Sequence, residues 1–361
     1  MSSLTLVQQQ LATTFPRISG SFSLLGSLSI TVDIIRKYRK DAKKVTAYHR
    51  LILGMSFCDM VMSVAHIMAT WPIPSDTPGA YAAYGNEATC NAQGFFGQFG
   101  IGSPFYNLFL TVYYYLLIVK DSKLSRNQEI CMHVASLSFA FGTATAALAL
   151  GFYGSVFIWC WITSEHTIVR LVFWYGPLWV IFIVVAVLMS VIYFNIKRQE
   201  HRQIRWSQQN IGNGRPKFVS DSVRWQAFRY VGAFFITWIF LTIVRVCNAV
   251  NVTAPFWVLL LAFTLMPMQG LFNYLIYIRP RYATRRKEFP EVGRIKTFLK
   301  VNPLLAGCKC CGCEACTLSN IRSNTTQCGS NTVNLEGRDH NSQSQASEVI
   351  MDEVIMEEDG V

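Results

Sequence analysis

From Asn91 to Val119 the chain carries no charged side chain, and Lys120 and Asp121 then end the run. A helix of that length reaches about 45 Å, enough to cross a bilayer at a tilt. Its first half holds Gly94, Gly97, Gly100 and Gly102, residues that cost too much helix propensity to occur without a packing reason. In lipid, small residues let neighbouring backbones approach closely. Ser103, Asn107, Thr111 and Tyr114 follow at helical spacing and form one polar stripe. Such a stripe faces other helices or a water-filled cavity, because polar groups are costly against lipid. The stretch reads as the central post of a membrane bundle.

Composition agrees. Of 361 residues, 52% are hydrophobic and only 15% charged, with a mean hydropathy of +0.29. A soluble domain carries about 25% charged residues, so most of this chain is expected in a membrane. No internal repeat is evident, and the first residues lack the basic and compact apolar blocks of a cleaved signal peptide.

Six further apolar stretches accompany the post. A short uncharged leader, residues 1–10, precedes a first span at about Leu11 to Ile35, and the strongly basic run Arg36 to Lys44 follows it. The second span, about Ala47 to Trp71, places Ser56, Asp59, Ser63 and His66 on one face. An intramembrane carboxylate is expensive, so Asp59 points inward and serves function or packing. The loop after it contains Pro72, Pro74 and Pro78 and the acids Asp76 and Glu87. The remaining spans are expected at about Ile130 to Tyr153, Thr167 to Ile196, Tyr230 to Val250 and Phe256 to Ile278. Pro177 and Pro267 lie within two of them and remove backbone donors, so a bend is expected at each.

The loops after spans one, three and five, with the segment after span seven, hold most of the 32 Lys and Arg residues. By the positive-inside rule these loops are cytoplasmic and the N-terminus is outside. The net charge of +11 is thereby a topogenic feature, and nucleic acid is not needed to explain it. Residues 279–316 form a basic, Cys-rich juxtamembrane segment. Its Cys308, Cys310, Cys311, Cys313 and Cys316 suggest S-palmitoylation, which adds a lipid anchor beside the basic patch. Zinc is the rival, through the Cys310-x-x-Cys313 spacing. Residues 317–361, rich in Ser, Asn and Gln, read as a disordered tail.

Seven spans, an outside N-terminus and a Ser/Thr-rich tail resemble a G-protein-coupled receptor. The details are similar to the cyclic-AMP-receptor-like family, which borders on the secretin and adhesion branches. The matching pieces are Trp159-Cys160-Trp161-Ile162, the run Phe173 to Trp179, the polar second span from Leu51 to Asp59, and Trp238, Arg245 and Asn248 in span six. Gln269, Gly270, Asn273, Ile276 and Tyr277 in span seven complete them. The resemblance covers roughly residues 15–282. One departure from the rhodopsin-like branch is Tyr113-Tyr114-Tyr115-Leu116 at the inner end of span three, where that branch has Asp-Arg-Tyr.

The fold expected is an all-α seven-transmembrane bundle. The resemblance implies a disulfide between Cys90 and Cys160, pinning an outer loop to the central helix in an oxidising compartment. It further implies a ligand pocket, for which Arg245, Trp238, Asn248, Asn107, His66 and Trp161 are the candidates. Arginine stays charged at that depth and must snorkel, pair with Asp76, Glu87 or Glu165, or meet an anionic ligand. Asp59, Asn273, Gln269, Tyr277 and Pro267 are the candidate relay between pocket and inner surface, with helix packing as the alternative role. Asn251-Val252-Thr253 is an outer glycosylation sequon. The implied partners are an extracellular small molecule, a heterotrimeric G protein, receptor kinases, arrestin-like adaptors and membrane lipid; no cofactor or metal is expected. The alternative is a transporter or channel with a polar path along Asp59, His66 and Arg245. A retinal protein requires a Schiff-base lysine in the last span, which holds none. An enzyme lacks support, since no nucleophile–base pair occurs in the spans.

Overall fold

The computed structural model describes residues 5–209, 221–250 and 252–305. The chain forms two compact units with the boundary between Tyr277 and Ile278. Among the described residues, seven helical segments are long and apolar enough to cross a membrane. The first is α1 (Leu6–Lys40), the second α2 (Ala47–Met68), and the third runs over Glu87–Val119. The fourth is α5 (Arg126–Ala149). The fifth comprises α6 (Thr167–Arg170), a π-turn (Leu171–Tyr175) and α7 (Gly176–Gln209), and the sixth is α8 (Asp221–Ala249). The seventh joins α9 (Phe256–Leu265), a 3-10 turn (Met266–Met268) and α10 (Gln269–Glu288).

Helix starts are set locally. Thr5 accepts from the Gln8 amide while the Gln8 side chain receives the Thr5 amide, and Ser125 with Gln128 repeats the arrangement at α5. These reciprocal caps satisfy amides that have no partner within the helix. Several helices extend past the apolar stretches that predict them. The first starts within the expected leader, α7 continues from Ile196 to Gln209, and α8 begins nine residues before Tyr230, at Asp221. Hydropathy marks the depth of lipid, whereas a helix continues into water as long as its backbone bonds are made.

The third segment is two helices rather than one rod: α3 (Glu87–Phe99) and α4 (Gly102–Val119), interrupted at Gly100 and Ile101. Pro104 has no N–H to give the Gly100 carbonyl, which accepts from the Ser103 amide instead, and α2 approaches closely at the break. A Cβ at Gly100 would lie 2.6 Å from Met62 Sδ, and one at Gly102 would lie 2.7 Å from Cys58 Sγ. A Cβ at Gly94 would lie 2.6 Å from the Tyr153 ring, while one at Gly97 would meet nothing within 4 Å. Ser103, Asn107, Thr111 and Tyr114 are all buried, as a central position requires. Outward-facing Val180, Ile183 and Val187 are 60%, 65% and 57% exposed, a pattern suited to lipid contact.

The bundle is not purely helical. Strands β1 (Tyr153–Val156) and β2 (Trp159–Ile162) pair antiparallel across the tight turn at Phe157 and Ile158. Periodicity cannot announce so short a hairpin, and its β-branched and aromatic residues read equally as loop. A disulfide joins Cys160 of β2 to Cys90 of α3, with the two Cα atoms 5.2 Å apart. Gln93, one turn on from Cys90, accepts from the Cys160 amide at 2.7 Å and donates to the carbonyls of Ala65 and Ala69 at 2.9 and 2.7 Å. One buried side chain therefore ties the hairpin, α3 and α2 together beside the covalent bond.

At the end of the bundle away from the hairpin, Arg50 of α2 forms a bidentate pair with Glu129 of α5, at 2.6 and 2.9 Å, and also donates to the Val45 carbonyl. The Glu129 side chain is 4% exposed. Arg126 and His133 approach the same carboxylate at 4.0 and 3.7 Å. In the second unit, Thr297 of α11 (Arg294–Val301) donates to the Gly293 carbonyl, and Ile295 and Leu299 stay exposed among Arg294, Lys296 and Lys300.

Two outcomes are expected. Replacing Cys90 or Cys160 with Ser removes a crosslink of a type worth about 2–4 kcal/mol and lowers surface delivery of the full chain in cells; delivery equal to wild type for both variants would contradict this. Arg50→Met strands a buried carboxylate and should cost about 2 kcal/mol, whereas Arg126→Met should cost almost nothing; thermal unfolding of the purified protein in nanodiscs separates the two.

Candidate functional site

Beneath the hairpin lies a cavity of about 470 Å³, its mouth included. Met62, Ala65 and His66 come to it from α2, Gln93 and Gly97 from α3, and Trp159 and Trp161 from β2. Trp174 and Tyr175 enter from the π-turn, Leu241 and Arg245 from α8, and Met266 from the 3-10 turn. The open space at Gly97 is part of it, which gives this glycine a different use from its packed neighbours.

The π-turn sets the aromatic wall. At its end the Gly176 amide donates to the Leu171 carbonyl, five residues back, so the register gains a residue before the helix resumes. Pro177 follows and has no N–H to give to the Phe173 carbonyl. Gln98 of α3 fills the vacancy, donating to Phe173 O at 3.1 Å and to Thr143 Oγ1 at 3.2 Å. Gln98 Oε1 in turn accepts from the Trp161 indole at 2.8 Å and fixes that ring in the cavity wall. The proline of one span thereby helps orient a tryptophan of the hairpin.

Cationic groups collect at this end. The Arg245 guanidinium lies 4.9 Å from the Tyr175 ring centroid, and that of Arg170 lies 5.4 Å from Trp161. The two are close enough to repel one another. Arg170 Nε donates to the Ile162 carbonyl at 2.7 Å, pinning the end of β2, while Arg170 Nη2 and Arg245 Nε are buried without a hydrogen bond. Among the described residues, neither arginine pairs with an acid, and Asp76, Glu87 and Glu165 do not reach Arg245. Ring faces offset part of the cost of holding such a charge, by about 1–2 kcal/mol where water is scarce. Arg17 has a comparable arrangement over Trp71, at 4.4 Å, with Thr70 at 3.4 Å from Nη2.

A column of rings leads down from the cavity. Trp161 meets Trp174 at 5.7 Å, and Trp174 meets Trp238 at 5.8 Å. Trp238 is fully buried and precedes the cavity floor rather than lining it. Next to it, Thr237 donates to Gln269 Oε1 at 2.5 Å, and Gln269 Nε2 lies 3.3 Å from Asn273 Oδ1. Asn273 donates to Asp59 Oδ2 at 2.8 Å, and Ser103 donates to Asp59 Oδ1 at 2.6 Å. This buried chain links α8, α10, α2 and α4. Above it, Ser63 and the Gly270 amide both meet Ser23 Oγ at 3.0 Å, drawing α1 against α2 and the break at Pro267.

The structure sorts the residues singled out from sequence. His66, Trp161 and Arg245 line the cavity; Trp238, Asn107 and Asn248 do not. Trp238 and Arg245 share a face, but seven residues place them about 10 Å apart along the axis, hence at different depths. The Asn107 amide donates to the Ser103 carbonyl of its own helix at 3.1 Å, and Asn248 is exposed near the end of α8. Asp59, Asn273 and Gln269 form one network, and Pro267 sits in the 3-10 turn that interrupts span seven. Tyr277 stands apart from it, donating to Asp33 at 2.6 Å. Near it at that end, Tyr48 meets the Tyr230 hydroxyl at 3.0 Å and accepts from Gln226 at 2.5 Å. Trp174, Tyr175, Gln93 and Gln98 were not singled out as site residues. Their run of aromatics and amides signals a polar interior, but a π-turn defeats any assignment of faces by a constant helical period. Asn251 and the five tail cysteines, Cys308, Cys310, Cys311, Cys313 and Cys316, lie outside the described residues.

Three similarities to known proteins differ in reach. The crystal structure of squid rhodopsin superposes with a TM-score of 0.56 over 90% of this chain and 93% of that one, at 13% identity, a likeness of fold. The ascaroside receptor GPR2 of Arthrobotrys oligospora is 26% identical over 164 residues, which span 43% of this chain and 39% of that receptor. The match thus spans about two fifths of the relative's length. The profile described as slime mold cyclic AMP receptor matches residues 22–284, from the first span through the seventh. The chain is therefore a multi-pass membrane protein that belongs to the slime mold cyclic AMP receptor family.

Proposed function

We propose that this protein is a G-protein-coupled receptor of the plasma membrane that binds a small anionic molecule in the cavity beneath the hairpin. The observation that carries the reading is Arg245, a cavity-lining cation with no acid among the described residues to neutralise it. Arg245 is half-buried with its Nε shielded and without a hydrogen bond, and an anionic ligand would meet it with a planar, bidentate contact. The hairpin end is then extracellular and the basic loops cytoplasmic, an orientation supported by the positive-inside rule. Cyclic AMP, the ligand in the family's name, is an anion and is the first probe to apply.

The buried network is the coupling element in this reading. Ligand contact at Trp161, Trp174 or Tyr175 shifts the ring column onto Trp238, and Thr237 passes that shift to Gln269, Asn273 and Asp59. A ligand moves such an equilibrium only by binding one arrangement better than the other. The basic ends of the helices then accept a heterotrimeric G protein. Receptor kinases and arrestin-like adaptors act on the Ser/Thr-rich tail, and palmitoylated tail cysteines hold it at the lipid surface.

Two variants test the reading in cells carrying G-protein dissociation sensors. With cyclic nucleotides and small organic acids as probes, Arg245→Gln should lower potency by about a hundredfold and Arg245→Lys by less, both at normal surface levels. Undiminished potency in Arg245→Gln would remove that residue from the pocket. Asp59→Asn sets an amide against the Asn273 amide and costs about 2 kcal/mol of network stability. Its maximal response should fall while probe binding persists; a full response would mark the network as packing only.

A further inference from the structure

The polar groups of the cavity can be counted for what they have left to offer. Gln93 is spent, with its two ends engaged by Cys160, Ala65 and Ala69. The Trp161 indole is spent on Gln98. His66 is not. Its Nδ1 lies 2.8 Å from the Met62 carbonyl, and a carbonyl only accepts, so Nδ1 carries the proton. The neutral ring then offers Nε2 as an acceptor, and among the described residues that atom has no hydrogen bond. The side chain is 5% exposed yet lines the cavity, and Trp159 stands edge-on to its ring at 5.1 Å. Arg245 brings donors only. With the Tyr175 hydroxyl engaged by Arg245, the cavity presents donors at α8 and an acceptor at α2, and the rings of Trp159, Trp161, Trp174 and Tyr175 form the rest of the wall.

We infer that the ligand is a small organic anion with a flat apolar body and a separate hydroxyl or N–H group, which donates to His66 Nε2 while the anionic end meets Arg245. This rests on the reading of Arg245 given above and adds the second determinant. A ligand lacking the donor leaves Nε2 buried and unmatched, and a site built to receive a hydrogen bond discriminates against such an analogue. His66 then sets specificity while Arg245 sets affinity for charge.

Three matched probes separate the two roles: para-hydroxyphenylpropionate, its para-methoxy counterpart, and the methyl ester of the hydroxy acid. Binding is measured by saturation-transfer NMR on the full chain in nanodiscs, with probes up to millimolar concentration. On the wild-type protein the hydroxy acid should bind about tenfold more tightly than either analogue. In His66→Phe, which keeps a ring against Trp159, the two acids should become equal while the ester remains weaker. In Arg245→Gln, acid and ester should become equal while the methoxy acid remains weaker. Equal binding of the two acids to wild type, or a methoxy penalty that survives His66→Phe, overturns the role of His66 and leaves Arg245 untouched. Equal binding of acid and ester to wild type overturns the reading of Arg245. Absence of saturable binding by every probe overturns both.

Discussion

Asp59 is buried within the bundle, and a carboxylate there is costly unless its oxygens find donors. Ser103 and Asn273 supply them at 2.6 and 2.8 Å, from the third and seventh spans. That requirement fixes the depth and rotation of three helices relative to one another. Asn273 is oriented by Gln269, and Gln269 by Thr237, so the constraint extends to the sixth span as well. Breaking any member leaves a polar group stranded, at a cost of about 1–3 kcal/mol, which makes the arrangement stiff and gives it few alternatives.

The hairpin end follows a different physics. Its charges are all of one sign near the cavity, and aromatic faces rather than carboxylates surround them. Ring quadrupoles make a bound cation tolerable without neutralising it, so the field of Arg170 and Arg245 persists into the empty space. The opposite end places its buried acid, Glu129, in a bidentate pair with Arg50. The two ends of one bundle thus use arginine in opposite ways.

Much of this was legible beforehand. Apolar runs predict the seven spans, and the face of the second span predicts Ser56, Asp59, Ser63 and His66 as inward, all of them buried. Glycines in the third span announced close packing, which Gly94, Gly100 and Gly102 make. What stayed hidden depends on depth and on irregular backbone. Equal helical phase put Trp238 and Arg245 together, yet only one of them reaches the cavity. Asn107 looked free to meet a ligand, but a buried amide on a lone polar stripe satisfies itself on its own helix. The break after Phe99, the hairpin and the π-turn all depart from a constant period, and periodicity is the signal on which such reading depends.

The π-turn has an evolutionary corollary. One residue removed between Leu171 and Tyr175 would restore regular winding and change by about 100° the phase of the short segment between the disulfide-anchored hairpin and α7. The side chains that this segment presents to the cavity would then change, with no substitution at any remaining position. A single in-frame codon deletion could therefore exchange an entire recognition surface while the seven spans and the disulfide stay as they are. Among relatives, length variation at this short segment is the place to look for a change of ligand.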